Sequence, residues 1–151
     1  MPADLLPSTL VVDASVGIKW VIDEEGSDPA VALIQGRRLI APSLFWIETA
    51  NVLAMKTKRG ELSRAAATDA WHDLMAAPLE IVPVGVEATE QALMLAQDLQ
   101  HTVYDCTYLA TALDNNCPVI TADRRFATIA ATQPYLSGRV LVLSAAGTNQ
   151  R

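Results

Sequence analysis

The chain has 151 residues, 51% of them hydrophobic, with 17 Asp and Glu against 11 Lys and Arg and a formal charge of −6. That length can bury a core without covalent staples, and the apolar content excludes a disordered chain. The acidic balance argues against a protein that coats nucleic acid through bulk positive charge, but not against an enzyme whose carboxylates are masked by metal ions.

From the N-terminus, short apolar runs alternate with longer helical ones. A strand over 9–12 runs straight into Asp13, and a helix follows over 15–22. A helix over 28–35 leads to a strand over 38–41, where Ala41-Pro42-Ser43 ends the strand and offers Ser43 as N-cap for a helix over 44–58. Gly60 behind the basic end of that helix suits a C-cap, and Ser63 caps the next helix, 64–76. A strand over 79–84 precedes helices over 86–99 and 103–115, the second closed by Asn115-Asn116. A strand over 118–121, a helix over 124–131 and a strand over 140–144 complete the pattern. The strands are nearly free of polar residues, as strands buried on both faces are. Their alternation with helices predicts an α/β fold with a central parallel sheet and helices on both of its faces.

No repeat, low-complexity tract or linker interrupts the chain, so residues 1–151 read as a single domain, with 146–151 a frayed polar tail. No run reaches about 18 apolar residues, which predicts no membrane span. The N-terminus lacks the basic residue and unbroken apolar run of a secretory signal, so the expected location is cytoplasmic. Cys106 and Cys117 have no zinc-site spacing and read as buried free thiols.

Four acids stand apart from the rest. Asp13 and Asp123 each follow an apolar strand at its C-terminal end, where open α/β sheets bind ligands. Asp105 lies early in a helix on a face shared with Leu109, Ala112 and Leu113, and no Lys or Arg occurs between Arg64 and Arg124 to pair with it locally. Glu48 shares a helix face with Leu44, Asn51, Val52 and Met55, so that Glu48 and Asn51 read as directed inwards. Two bare carboxylates about 4 Å apart repel by roughly 4 kcal/mol at an effective dielectric of 20, so such a cluster requires shared protons or cations. Oxygen ligands suit Mg²⁺ or Mn²⁺, and such ions can activate a water and stabilise the leaving oxygen of a phosphodiester. Taken alone, Asp13 or Asp123 reads more readily as a helix N-cap, and it is the set of four at consistent positions that points to a site.

The segments around these acids resemble the four motifs of PIN domains, in order and spacing over residues 9–144. The opening motif is Val11-Val12-Asp13-Ala14-Ser15. The second runs from Ala41-Pro42-Ser43 through Glu48 to Asn51-Val52-Leu53. The third is Thr102-Val103-Tyr104-Asp105-Cys106 through Ala112, with Cys106 where a small Ala is commoner. The fourth is Val119-Ile120-Thr121-Ala122-Asp123-Arg124-Arg125-Phe126. In size the chain is most similar to the VapC toxins of toxin–antitoxin pairs. The resemblance implies a three-layer α/β/α sandwich and an Mg²⁺- or Mn²⁺-dependent endoribonuclease acting on structured RNA such as tRNA or rRNA. It implies Asp13, Glu48, Asp105 and Asp123 as catalytic and metal-binding residues, with Ser15, Thr121 and Asn51 in support. It also implies a homodimer held by a cognate antitoxin.

Other residues are weighed against this reading. Lys56, Lys58 and Arg59, with Arg124 and Arg125 beside Asp123, are candidates for phosphate contact, though solvated surface accounts for them equally. His101 lies four residues before Asp105, a spacing that would place both on one metal if the helix began earlier, but it reads first as a histidine near a helix start without catalytic duty. The aromatic residues Trp20, Phe45, Trp46, Trp71 and Tyr108 read as core or interface. A haloacid-dehalogenase-like phosphotransferase with Asp13 as nucleophile wants a second acid where Ser15 stands. A receiver-like domain wants an acidic pair and a late Lys, and neither is present. A PIN-like module that binds RNA or protein without cutting is the remaining alternative.

Overall fold

The computed structural model describes residues 5–144, and the tail expected at 146–151 lies outside them. Five strands, β1 (Thr9–Val12), β2 (Arg38–Pro42), β3 (Leu79–Val82), β4 (Val119–Thr121) and β5 (Val140–Val142), form one sheet in the order β3-β2-β1-β4-β5. Every pairing is parallel. The chain builds outward from β1 through β2 to β3, then returns to the other side of β1 to add β4 and β5. The direction of winding therefore switches between β1 and β4, which leaves a crevice at their C-terminal ends. Consecutive residues of the central strands, Leu10 to Val12, Leu39 to Pro42 and Val119 to Thr121, are all buried. Burial on alternate sides of a strand requires cover on both faces, and the architecture is the expected α/β/α sandwich.

Seven α-helices supply that cover: α1 (Ala14–Gly17), α2 (Ser27–Ala32), α3 (Leu44–Lys58), α4 (Arg64–Met75), α5 (Val86–Leu99), α6 (Val103–Asp114) and α7 (Arg124–Ala130). The most central is α6, which packs on α5, β1, β2 and β4 and buries every residue from Cys106 to Ala112. Within it Thr107 and Thr111 satisfy their hydroxyls by donating to the carbonyls of Val103 and Thr107, a neutral way to place a polar side chain inside a helix. Among the described residues no helix is long and apolar enough to cross a membrane.

Several boundaries differ from the expectation, for local reasons. The first helix begins at Ala14, with Asp13 at its N-cap position, and passes into a 3₁₀ turn at Ile18–Trp20. β3 stops at Val82 because Pro83 has no N–H to give to the ladder. Ser43 stands before α3 but in helical conformation and without a capping bond. Its Oγ instead accepts from the Val84 N–H at 3.2 Å, tying the ends of β2 and β3 together. Ser63 does cap α4 by accepting from the Ala66 N–H, and Gly60 follows α3 at φ +75°. A short 3₁₀ turn at Pro134–Leu136 has no counterpart in the expected pattern. Both cysteines are buried free thiols.

One close approach locks α1 to α3. A Cβ on Gly17 would lie 2.4 Å from the Phe45 ring, and Phe45 is fully buried. Gly17→Ala is therefore expected to lower stability by about 1–3 kcal/mol, the usual cost of overpacking. The denaturant midpoint measures it, and an unchanged midpoint would show that the ring has room to move.

Candidate functional site

The crevice between β1 and β4 opens into a cleft of about 510 Å³. Asp13, Ser15, Glu48, Asn51, Asp105 and Asp123 line it, with Leu44, Ile47, Val52 and Tyr104 as its apolar wall. All four acids singled out in the sequence thus meet at one opening, carried by the end of β1, by α3, by the first turn of α6 and by the residue that starts α7.

Asp13 is the one charged side chain buried among the described residues, at 7% exposure. Although it holds the N-cap position of α1, its carboxylate does not cap that helix. Oδ2 instead accepts from the Ser15 hydroxyl and from Thr121 Oγ1, the latter at 2.9 Å. The two hydroxyls are themselves oriented, because Ser15 Oγ accepts from the Ala122 N–H at 3.0 Å and Thr121 Oγ1 from the Asp123 N–H at 3.1 Å. The network stitches the exits of β1 and β4 together around one carboxylate. Burial raises the pKa of Asp13 above the usual range; the two hydroxyls pull it down, and the Asp105 charge adds to the rise.

Asp123 does behave as an N-cap, with Oδ1 accepting from the N–H groups of Arg125 and Phe126 at 2.9 and 3.2 Å. The capping role and a ligand role need not compete, since the cap engages one oxygen. Glu48 sits half-buried on the α3 face shared with Leu44, Asn51 and Val52. Its pKa is raised, first by burial and then by the charges of Asp13 and Asp105, while the nearby Tyr108 hydroxyl works the other way. That hydroxyl falls short of hydrogen-bond geometry: Glu48 Oε1 and Tyr108 Oη are both buried without a partner. Asn51 is exposed at the cleft rim rather than turned inwards.

Asp105 has a partner to which reasoning from the sequence gave the lesser weight. His101 Nε2 lies 2.6 Å from its Oδ2, although α6 begins only at Val103. The turn before the helix makes this contact. Gln100 adopts a left-handed conformation at φ 50°, the His101 N–H closes α5 on the Ala96 carbonyl, and Thr102 caps α6 through the Asp105 N–H. The four-residue spacing of His101 and Asp105 was the available signal. Tyr108 was placed correctly in the core, but its unpartnered hydroxyl beside Glu48 had no signature in the sequence.

The acids do not form one equally tight set. Among the described residues, His101, Asp105 and Asp123 each offer a ligand atom within 4.8 Å of the others, and of these Asp105 and Asp123 share the cleft lining with Asp13 and Glu48. The basic candidates stand outside the cleft lining. Lys56 is engaged by Glu24 and Glu61 at 3.5 and 3.3 Å, while Lys58, Arg59, Arg124 and Arg125 are exposed. Among the described residues no cationic side chain lines a cleft that holds four carboxylates, two of them with raised pKa and one with a buried unpartnered oxygen. Such a donor set fits a divalent ion.

Comparison with known proteins gives the family and the fold. The family model for the PIN domain matches residues 10–131. In structure the chain is similar to VapBC2 of Rickettsia felis bound to a promoter DNA fragment (12% identity, TM-score 0.64, 90% of this chain and 99% of that one). It is likewise similar to a toxin–antitoxin complex from Klebsiella pneumoniae (17%, 0.64, 89% and 98%). A third is VapC20 of Mycobacterium tuberculosis, a toxin that cleaves the sarcin–ricin loop (16%, 0.63, 79% and 93%). No curated protein matches the sequence significantly.

Proposed function

The chain belongs to the PIN-domain family, and from that premise we propose that it is a divalent-metal-dependent endoribonuclease with Asp13, Glu48, Asp105 and Asp123 as its catalytic and metal-binding acids. The observation that carries the proposal is the meeting of these four side chains in one cleft at the switch between β1 and β4. Mg²⁺ or Mn²⁺ bound there supplies Lewis acidity, which activates water and offsets charge on a phosphodiester.

The chain's own residues do the rest. Asp13 is held in one orientation by Ser15 and Thr121, so no reorganisation is needed when substrate arrives. Asp123 is fixed by the start of α7. Glu48, with its raised pKa and free Oε1, is suited to take the proton from an attacking water. Arg124 and Arg125, next to Asp123 in the chain, together with Lys58, Arg59 and Lys56 at the end of α3, are the proposed phosphate contacts.

Purified protein incubated with total RNA is expected to give discrete fragments with Mg²⁺ or Mn²⁺ and none with chelator. Intact RNA in every metal would leave a PIN-like module that binds without cutting. The phosphotransferase alternative is disfavoured by the burial of Asp13 and by the two hydroxyls on its Oδ2, which blunt it as a nucleophile.

The biological role we infer is that of a VapC-type toxin acting in the cytoplasm on structured RNA, tRNA or rRNA, as a homodimer restrained by a cognate antitoxin. Likeness of fold to toxin–antitoxin complexes supports this reading. Expression without a partner is then expected to arrest growth, with Asp105→Asn restoring it. Unimpeded growth with the intact chain would leave the nuclease but remove the toxin.

A further inference from the structure

Resting on the reading of the cleft as a divalent-metal site, we propose that His101 is itself a ligand: with Asp105 and Asp123 it forms a mixed nitrogen–oxygen site that holds a first-row transition ion in preference to Mg²⁺. The ligand atoms of the three side chains lie within 4.8 Å of one another, a spacing one ion can span. Two of the three side chains are held from outside the site. The His101 ring is stacked on Phe126 at 5.1 Å and 4° between planes, and its side chain is only 11% exposed. Asp123 is anchored by the N-terminus of α7, while the Asp105 backbone is fixed by the Thr102 cap and its carboxylate meets His101. Phe126 belongs to α7, so the helix that orients Asp123 also supplies the surface that orients His101.

The imidazole makes a difference in kind. Mg²⁺ favours oxygen ligands and an intact water shell, whereas imidazole nitrogen is a good ligand for first-row transition ions. Nε2 is the ring nitrogen that faces Asp105 Oδ2, at 2.6 Å. In the neutral tautomer protonated on Nδ1, Nε2 turns its lone pair toward the same space.

The test uses the full chain freed of metal, with Mn²⁺ and Mg²⁺ added separately and no RNA. Mn²⁺ is expected to bind about tenfold or more tightly than Mg²⁺, and the Mn²⁺ spin-echo spectrum to show coupling to a histidine nitrogen. His101→Gln should abolish that coupling and weaken Mn²⁺ binding by about 10–100-fold while leaving Mg²⁺ affinity nearly unchanged. His72, the other histidine, is exposed on α4, so His72→Gln should keep the signal. Should His101→Gln fail to fold, wild type and His72→Gln still decide the matter. A wild-type spectrum without nitrogen coupling overturns the proposal, as does an equal loss of both ions in His101→Gln. RNA cleavage with no nitrogen coupling keeps the nuclease and removes His101 as ligand. Nitrogen-coupled Mn²⁺ in a chain that cuts no RNA keeps the ligand and removes the nuclease.

Discussion

Replacing Asp13 by Asn is expected to lower the rate of RNA cleavage by roughly 10³-fold or more, about 4 kcal/mol of lost transition-state stabilisation, while the protein stays folded. The substitution is nearly isosteric in a position only 7% exposed, and an amide oxygen can still accept from Ser15 and Thr121. What it removes is the charge. Burial already disfavours that charge, which is why the carboxyl titrates above its ordinary range. The melting temperature of metal-free Asp13→Asn at neutral pH should therefore equal or exceed that of the parent chain. A fall in melting temperature large enough to unfold the variant would show that the acid is a structural brace, and a folded variant that still cuts would take Asp13 out of the chemistry.

Divalent ions are expected to stabilise the protein at neutral pH and to lose that effect in acid. Asp13 and Glu48 both have folded-state pKa values raised above 3.8 and 4.5, their ordinary values. A group raised in this way contributes stability that is fully present below its unfolded pKa and is lost as pH climbs through the folded one. Without metal, the melting temperature should thus decline from the acid side toward neutrality, over the interval that begins at those ordinary values. An ion that binds only the native state at about 100 times its Kd restores roughly 2.7 kcal/mol, or about 5–10 °C for a chain of this size. Below the carboxylate range the ligands are protonated and the gain should vanish. Calorimetry with and without Mn²⁺ across this interval checks both halves. A metal-free melting temperature that rises toward neutrality, or a metal gain that persists in acid, would contradict the picture of Asp13 and Glu48 as buried, mutually repelling acids.

The outline of the fold was readable because strands and helices here announce themselves by different periods. The expected spans 44–58 and 86–99 coincide with α3 and α5, since the apolar spacing persists over each whole span and breaks at its ends. The shared face of Leu44, Glu48, Asn51 and Val52 was also legible, and these four do line one cleft. Less was legible where a side chain answers to a distant neighbour. Ser43 has the identity of an N-cap but is claimed by Val84, 41 positions away. His101 is turned toward Asp105 by a left-handed Gln100, a conformation that no residue type at that position signals. Tyr108 was recognisable as core from its apolar neighbours, yet the direction of its hydroxyl depends on how α6 is rotated against α3, which is settled by packing alone.

The Asp13–Thr121 hydrogen bond joins positions 108 apart, and this has a consequence for the order in which the molecule matures. β1, β2 and β3 can pair through sequence-local crossovers, whereas β4 must find β1 across most of the chain, a slow closure of high contact order. Until it does, the first acid has no hydroxyl from Thr121, no backbone neighbour from Asp123 and no lid over its charge. A nascent chain that ends before β4 therefore carries Asp13, Glu48 and Asp105 but neither the fourth acid nor the hydroxyl that orients the first, so the cleft is completed in a single late event.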